Sequence, residues 1–286
     1  MVFVSVQKML QDALKEKYAI GHFDIHNLEW TQGVLEAAEA MKSPIILGVT
    51  EDAVKYFKGY SVAKEIVVSL IKEMEISVPV ALHLDHGSSV ESCIQAINAG
   101  FNSVMIDASR FSLKKNIEIT SKVVEYAHAY NVNVEAEIGS ISGEEGSTKI
   151  MEPIYADLNE CIELKERTNI DALAPALGSA HGLYKGEPKI DFNKMKSISS
   201  ALNIPLVLHG ASGLSQEQLH AAIQAGTAKI NVNADNHVAF TNVLRDSFNR
   251  DKILYNSTTY LKLGQEAVKN TVINKIKLFG SNGKAY

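Results

Sequence analysis

Three things are scarce in these 286 residues: surplus positive charge, cysteine and long apolar runs. Lys and Arg number 28 against 33 Asp and Glu, a formal charge of −5, and no basic run offsets it. That balance argues against a nucleic-acid surface. The longest apolar runs, such as residues 43–50, fall far short of the roughly 20 residues a membrane-spanning helix needs. The opening Met1-Val2-Phe3-Val4-Ser5-Val6-Gln7-Lys8 lacks the basic, apolar and small-residue order of a signal peptide. The two cysteines, Cys93 and Cys161, have no metal-ligand spacing and read as buried reduced thiols, so a cytoplasmic protein is expected. No linker-like stretch divides the chain, which predicts one domain over residues 1–286.

What is present is a rhythm. Strand-like runs at residues 18–23, 44–49, 78–84, 102–106, 132–138, 172–175, 205–208 and 228–232 alternate with helical periodicity. The helices are expected at 28–41 (Asn27 as N-cap), 62–75, 90–99, 113–130, 158–167, 192–202, 216–225, 236–250 and 265–279. Polar, glycine-punctuated loops fill 139–150 and 178–188. Strands each followed by a helix predict an α/β fold, a closed (β/α)8 TIM barrel. The alternative, an open doubly wound sheet, would want a dinucleotide-type glycine turn after an early strand, and none is found.

In such a barrel the chemistry sits on the loops after the strands. Three of the nine histidines fall there: His86 after the third strand, His181 after the sixth and His209 at the end of the seventh. Three imidazoles around one open position would make a catalytic Zn²⁺ site. The barrel requires only that they share a face, and a hydrogen-bonded core histidine is the plain alternative for His83 or His86. His128, His220 and His237 fall in or near helices and read as solvated or satisfied, whereas His22 and His26 stay open. Carboxylates collect at the same face: Asp85, Asp107, and on the fifth strand Glu135 and Glu137. Alternation points both glutamates the same way, either toward a cation or, for Glu135, toward an ion pair with Lys229 or Arg110. Gly210-Ala211-Ser212-Gly213 and Asn231-Val232-Asn233-Ala234 follow the last two strands and lead into helices. Small residues and helix N-termini at that position suit a phosphate.

Motifs assembled in this order resemble those of the class II, zinc-dependent ketose-bisphosphate aldolases. The resemblance is carried by His83-Leu84-Asp85-His86-Gly87, Ser103-Val104-Met105-Ile106-Asp107-Ala108-Ser109, Val134-Glu135-Ala136-Glu137-Ile138-Gly139, Ala176-Leu177-Gly178-Ser179-Ala180-His181-Gly182, Leu206-Val207-Leu208-His209-Gly210-Ala211-Ser212-Gly213 and Lys229-Ile230-Asn231-Val232-Asn233. It implies zinc on His86, His181 and His209, with Asp107 and Glu137 holding the metal in an alternative resting position. It implies Asp85 as the acid/base at the C4 hydroxyl, and Glu145 as the group that moves the C3 proton of the triose half. Gly182, Lys185, Gly210, Ala211, Ser212, Asn231, Val232, Asn233 and Ala234 resemble the cradle for the dihydroxyacetone phosphate half, beside which the family commonly carries a monovalent cation (Na⁺ or K⁺). His83 is left as a packing residue.

The chain departs from the family's usual pattern at several positions, one of them, residue 24, facing the substrate in the family. It has Asp24 where Asn is usual, Ala234 where Thr is usual, Thr50 where Ser is common and Arg110 where His is common. Lys262 stands near where some members lend an arginine to the second phosphate across a dimer. The resemblance implies reversible cleavage of a phosphorylated ketose to dihydroxyacetone phosphate and an aldehyde, by a homodimer or homotetramer joined through the C-terminal helices. Fructose 1,6-bisphosphate leads, with tagatose 1,6-bisphosphate and a phosphorylated deoxy-ketogluconate as alternatives. A zinc hydrolase on the same barrel explains the histidines but gives the two glycine loops no task, and a binding or regulatory protein that has lost activity is the reading Asp24 and Ala234 would motivate.

Overall fold

Strand and helix alternate in space as they do in sequence. A computed structural model describes residues 3–141, 154–182, 184, 186 and 188–285. The elements run α1 (Val6–Glu16), β1 (Ile20–Asp24), α2 (Leu28–Met41), β2 (Ile45–Thr50), α3 (Glu51–Phe57), α4 (Tyr60–Glu73), β3 (Val80–Gly87) and α5 (Val90–Ala99). They continue with β4 (Ser103–Ile106), α6 (Leu113–Ala129), β5 (Asn133–Ile138), α7 (Leu158–Thr168), β6 (Ala172–Pro175) and α8 (Phe192–Leu202). The chain closes with β7 (Leu206–Leu208), α9 (Gln216–Gln224), β8 (Thr227–Val232), α10 (Ala234–Arg250) and α11 (Ser257–Phe279). The eight strands pair in sequence order, all parallel, and β8 returns to β1 to close the barrel.

Local chemistry sets most of these boundaries. Asn27 caps α2 by accepting from the Trp30 N–H, and Ser89 and Ser92 form a reciprocal capping box at α5. Two helices lie outside the expected alternation. In α1, Val6, Met9, Leu10 and Ala13 recur at helical spacing and are buried, a signal the strand rhythm overshadowed. In α3, only seven residues long, Thr50 caps the helix directly from the end of β2. The last helix starts at Ser257 rather than at residue 265, behind an Asn256 cap.

Each strand divides its side chains between two environments. On β3, Val80, Leu82 and Leu84 join the main apolar cluster shared with the surrounding helices. Ala81 points into the barrel, where Ile20, Ile46, Ala172, Ala174 and Val207 form an apolar floor with α1. The α1 helix thus plugs the N-terminal mouth. Above this floor the interior turns polar, with His22, His83, Ser103, Glu135 and Lys229 all buried.

Glu39, on α2, ties this frame together beneath β3. Its carboxylate accepts from the Ser77 and Val78 backbone N–H groups at 2.7 and 3.2 Å and from the Ser77 hydroxyl, and it pairs with Lys42. Partial burial opposes ionisation, but Lys42 and the Ser77 and Val78 donors outweigh it and hold the carboxyl down at about 2. A lowered folded-state value means that this stability is present above the ordinary 4.5 and is lost as pH falls toward about 2. Glu39→Gln is expected to cost about 1–2 kcal/mol at pH 7, with the difference from wild type shrinking below pH 4.5. Denaturant melts at pH 7 and pH 3 check this, and equal differences at both would refute it.

Candidate active site

Regular alternation along β3 would send Asp85 into the barrel and His86 outward with Leu82 and Leu84. The chain does something else. Pairing with β4 shifts register between Leu84 and Gly87, and His86 takes φ 48°. A left-handed backbone costs a non-glycine residue about 1–2 kcal/mol, and strain of this kind gathers at functional sites. The bulge turns His86 to the same C-terminal mouth as Asp85. The strand therefore runs through Gly87 rather than ending at residue 84 as the sequence predicts.

Three histidines meet there. His86, His181 and His209 each offer a ring nitrogen, all within 4.8 Å of one another. Carboxylates fix two of the rings. His209 Nε2 lies 2.9 Å from Glu135 Oε1, and His86 Nδ1 lies 3.1 Å from Asp107 Oδ2. An ionised carboxylate can only accept, so the protons belong on those nitrogens. The other two nitrogens, His209 Nδ1 and His86 Nε2, then face each other at 3.0 Å. Two lone pairs that close repel unless a proton or a cation lies between them. Burial opposes protonation of His86, yet Asp85, Asp107 and Glu137 around it lift it to about 10. Burial, helped by His86 and His209, drives His181 down to about 3, so that ring is neutral. A neutral imidazole and two rings oriented by carboxylates fit a divalent ion, which would take the place of the shared proton.

The carboxylates divide into distinct jobs. Glu135 accepts from Lys229 Nζ at 2.7 Å as well as from His209; although burial works against it, Lys229 and His209 keep it ionised. Of the two readings of Glu135, the ion pair with Lys229 is the one found. Asp107 is anchored by Ser109 N–H and Oγ at 3.1 and 2.7 Å. Glu137 differs: burial and the neighbouring Asp107 push it up to about 8, outweighing His86 and the bonds it accepts from Ser109 and the Ile141 N–H. With His86 and Asp107 it forms a second group of metal-type ligands. Asp85 is buried, and against that burial His86, His22 and His209 hold it well below the usual carboxylate range. Asn231 Nδ2 donates to Asp85 Oδ1 at 3.2 Å.

Below Asp85 sits His22, which the sequence left open, against Asp24, which the resemblance placed toward substrate. His22 faces Asp24 Oδ1 through Nε2 at 3.2 Å and Asp85 Oδ1 through Nδ1 at 3.8 Å. Gly48, on the neighbouring β2, makes the room. A Cβ there would lie 1.7 Å from His22 Nε2 and 2.3 Å from Asp24 Oδ1. His83, in contrast, is a packing residue, fully buried with Nδ1 2.7 Å from Ser103 Oγ.

The two glycine loops converge beside the histidines. Gly210 has φ 63°, and a Cβ on it would collide with the Ala180 carbonyl at 2.2 Å. The loop after β7 is thereby pressed against the loop after β6. Tyr184, which sequence reasoning missed, clamps both, accepting from Ala180 N–H at 2.9 Å and donating to Gly210 O at 2.7 Å. A lone tyrosine in a polar loop carried no signal for that role. Helix α10 begins at Ala234, with Asn233 at its N-cap making no side-chain cap bond; Ser212 Oγ accepts from the Asp235 N–H at 3.3 Å. Backbone N–H groups at such a terminus suit an anion. Val232 and Ala211 are fully buried, so only their backbone can take part. Gly182 takes φ 82° with open space around it.

Other expectations fare differently. The Thr50 side chain is engaged in capping α3, which competes with a role toward substrate. His128 is satisfied by Asp171 at 3.0 Å, as expected. Arg110 stacks on Phe111 at 4.9 Å, away from Glu135. Glu145 and Lys185 lie outside the described residues.

Comparison with known proteins points one way. The family model described as fructose-bisphosphate aldolase class-II matches residues 4–284. A fructose-bisphosphate aldolase of Geobacillus stearothermophilus is 53% identical over 285 residues, covering 100% of this chain and 99% of that protein. A Staphylococcus aureus protein of the same name is 50% identical with 100% of both covered. Among solved structures, the YdjI aldolase from Escherichia coli K12 superposes with a TM-score of 0.87 at 33% identity, over 99% of this chain and 100% of that one. A fructose-bisphosphate aldolase from Campylobacter jejuni shares the fold at TM-score 0.85 and 22% identity, covering 99% of this chain and 97% of the other.

Proposed function

The chain belongs to the class II fructose-bisphosphate aldolase family, and from that premise we propose that its mouth cleaves fructose 1,6-bisphosphate to dihydroxyacetone phosphate and glyceraldehyde 3-phosphate. The observation that carries this reading is the three-histidine cluster beside a buried carboxylate at one barrel mouth. We assign Zn²⁺ to His86, His181 and His209, since three imidazoles, two of them oriented by carboxylates, suit it. Asp107 and Glu137 would hold the ion when it withdraws toward His86.

A divalent ion there supplies Lewis-acid stabilisation of the negative charge that develops on the ketose oxygen. The chain's own residues do the rest. Asp85 takes the proton of the C4 hydroxyl as the C3–C4 bond breaks. The C4 oxygen becomes the aldehyde, and the electron pair moves into the dihydroxyacetone phosphate half. Asn231 holds Asp85 in place through its amide, and Glu135, fixed by Lys229, holds the His209 ring. The Gly210–Ser212 loop and the α10 N-terminus bind the phosphate of the departing triose through backbone N–H groups, with Asn233 and Gly182 at the rim and a monovalent cation alongside. Proton return at C3 falls to Glu145.

We further assign one catalytic domain over the chain, a cytoplasmic site and a homodimer or homotetramer. The thiols support the compartment: Cys93 and Cys161 are buried and unpaired, and burial pushes each up to about 12. Exposed Ile253 and Tyr255, in the link between α10 and α11, support contacts there. Among the described residues no helix is long and apolar enough to cross a membrane.

Steady-state assays of triose phosphate release from the fructose and tagatose bisphosphates test the substrate. The epimers differ at C4, where Asp85 acts. A kcat/KM for the fructose substrate at least about tenfold above its epimer, worth about 1.4 kcal/mol in the transition state, is expected. The reverse order would reassign the substrate, and no cleavage of either would refute the reading.

A further inference from the structure

The three-histidine site leaves part of the mouth's charge unanswered. Asp24, Asp85, Glu135, Glu137 and Lys229 are all buried, with Asp107 beside them. Lys229 is committed to Glu135 at 2.7 Å. An ion on His86, His181 and His209 would lie on the side of His86 Nε2, an atom 4.0 Å from Asp85 Oδ2, and so would answer Asp85 in part. Asp24 is left, 5% exposed and facing the His22 imidazole, whose other nitrogen faces Asp85, itself 5% exposed and held by Asn231 as well. Two carboxylates withdrawn from water cost several kcal/mol each unless a cation answers them.

His22 is the second, independent observation. It is 1% exposed, and neither of its ring nitrogens has a hydrogen-bond partner. Asp24 Oδ1 is likewise unsatisfied, because its 3.2 Å approach to His22 is not aligned as a hydrogen bond. Buried polar atoms without partners are uncommon in folded proteins and need an explanation, a bound ion being one. One ligand atom from each of His22, Asp24 and Asp85 falls within 4.8 Å of the others. Metal–nitrogen and metal–oxygen bonds of about 2.0–2.2 Å place two ligands of one ion roughly 3–4.3 Å apart, so the group closes on one ion once the His22 ring turns a single nitrogen toward both carboxylates, which it now faces with one nitrogen each. Gly48, having no Cβ, lets His22 Nε2 and Asp24 Oδ1 close on each other against its backbone. An imidazole with two carboxylates suits Zn²⁺ or Mn²⁺.

We propose that His22, Asp24 and Asp85 form a second divalent-cation site, with ligands distinct from the three histidines, and that filling it silences the enzyme. The silencing follows because the ion takes the Asp85 oxygens needed at the C4 hydroxyl. This half rests on the acid/base reading of Asp85; the binding half does not.

Equilibrium dialysis against graded Zn²⁺, with bound metal counted per chain, tests the binding. Wild type is expected to take two equivalents, and Asp24→Asn and His22→Gln one each. The second variant guards against misfolding of the first. A single equivalent in wild type across the whole range, as a His22 imidazolium would give, overturns the proposal, as does a second equivalent retained in both variants. His181→Ala separates the two sites. If it keeps the Asp24-dependent equivalent, the second site stands whatever becomes of the first; if it loses both, the independent site is refuted. Wild-type turnover is expected to fall about a hundredfold or more as the second equivalent binds. Unchanged turnover with two ions bound would overturn Asp85 as a ligand.

Discussion

Exhaustive dialysis against a strong chelator is expected to lower triose phosphate release by about a thousandfold or more, and one equivalent of zinc to restore it. The magnitude follows from the chemistry. Lewis-acid stabilisation of developing charge is worth several kcal/mol, and each 1.4 kcal/mol is about tenfold in rate. Among the described residues, Lys229, the buried lysine inside the barrel, is paired with Glu135 and so does not serve as an alternative electron sink. His209→Ala should reproduce the loss, and added zinc should not rescue it. That variant also strips Glu135 of one donor, a cost of about 1–3 kcal/mol to the fold, so its melting curve should shift as well. Activity that survives thorough metal removal would sink the zinc reading.

The second large effect is expected at Asp85. Asp85→Asn keeps the size of the side chain and a polar contact to Asn231, but cannot accept the C4 proton. General acid/base catalysis contributes about 10²–10⁴-fold, so kcat should fall by that factor while metal at the three histidines remains. Single-turnover release of triose phosphate, read beside metal content, checks both halves. A kcat within about threefold of wild type would remove Asp85 from the chemistry.

Much of this architecture was legible in the chain. Apolar runs of strand length, separated by helical periodicity, admit few arrangements, and the boundaries of α2, α5, β6 and α8 fall where residue pattern and capping place them. The misses have physical causes. Helix α1 belongs to no βα unit and owes its place to the apolar floor it covers. Helix α3 is too short for periodicity to speak. For the site, position along the strands brought the right residue types to one face, since in a parallel barrel every strand's C-terminal end opens on the same mouth. Partnership was not legible. Whether Glu135 met a metal or Lys229 depended on how far β5 and β8 are offset across the barrel, a distance that no local pattern encodes.

The sequence alone determined the alternation, the closed barrel, and the order in which histidines, carboxylates and glycine loops reach its rim. Each of these rests on short-range rules of periodicity, capping and strand ends. Only the tertiary structure decided what those groups do to one another. The bulge at residues 84–87 and the left-handed His86 exist because pairing with β4 and closure of the barrel support a strained backbone. Those same long-range contacts set His86 and His209 with nitrogens 3.0 Å apart. They also press His22, Asp24 and Asp85 together beneath, with His22 and Asp24 packed where a side chain on Gly48 would stand. Distances like these come from packing eight strands into one ring, and no segment of the chain contains them by itself.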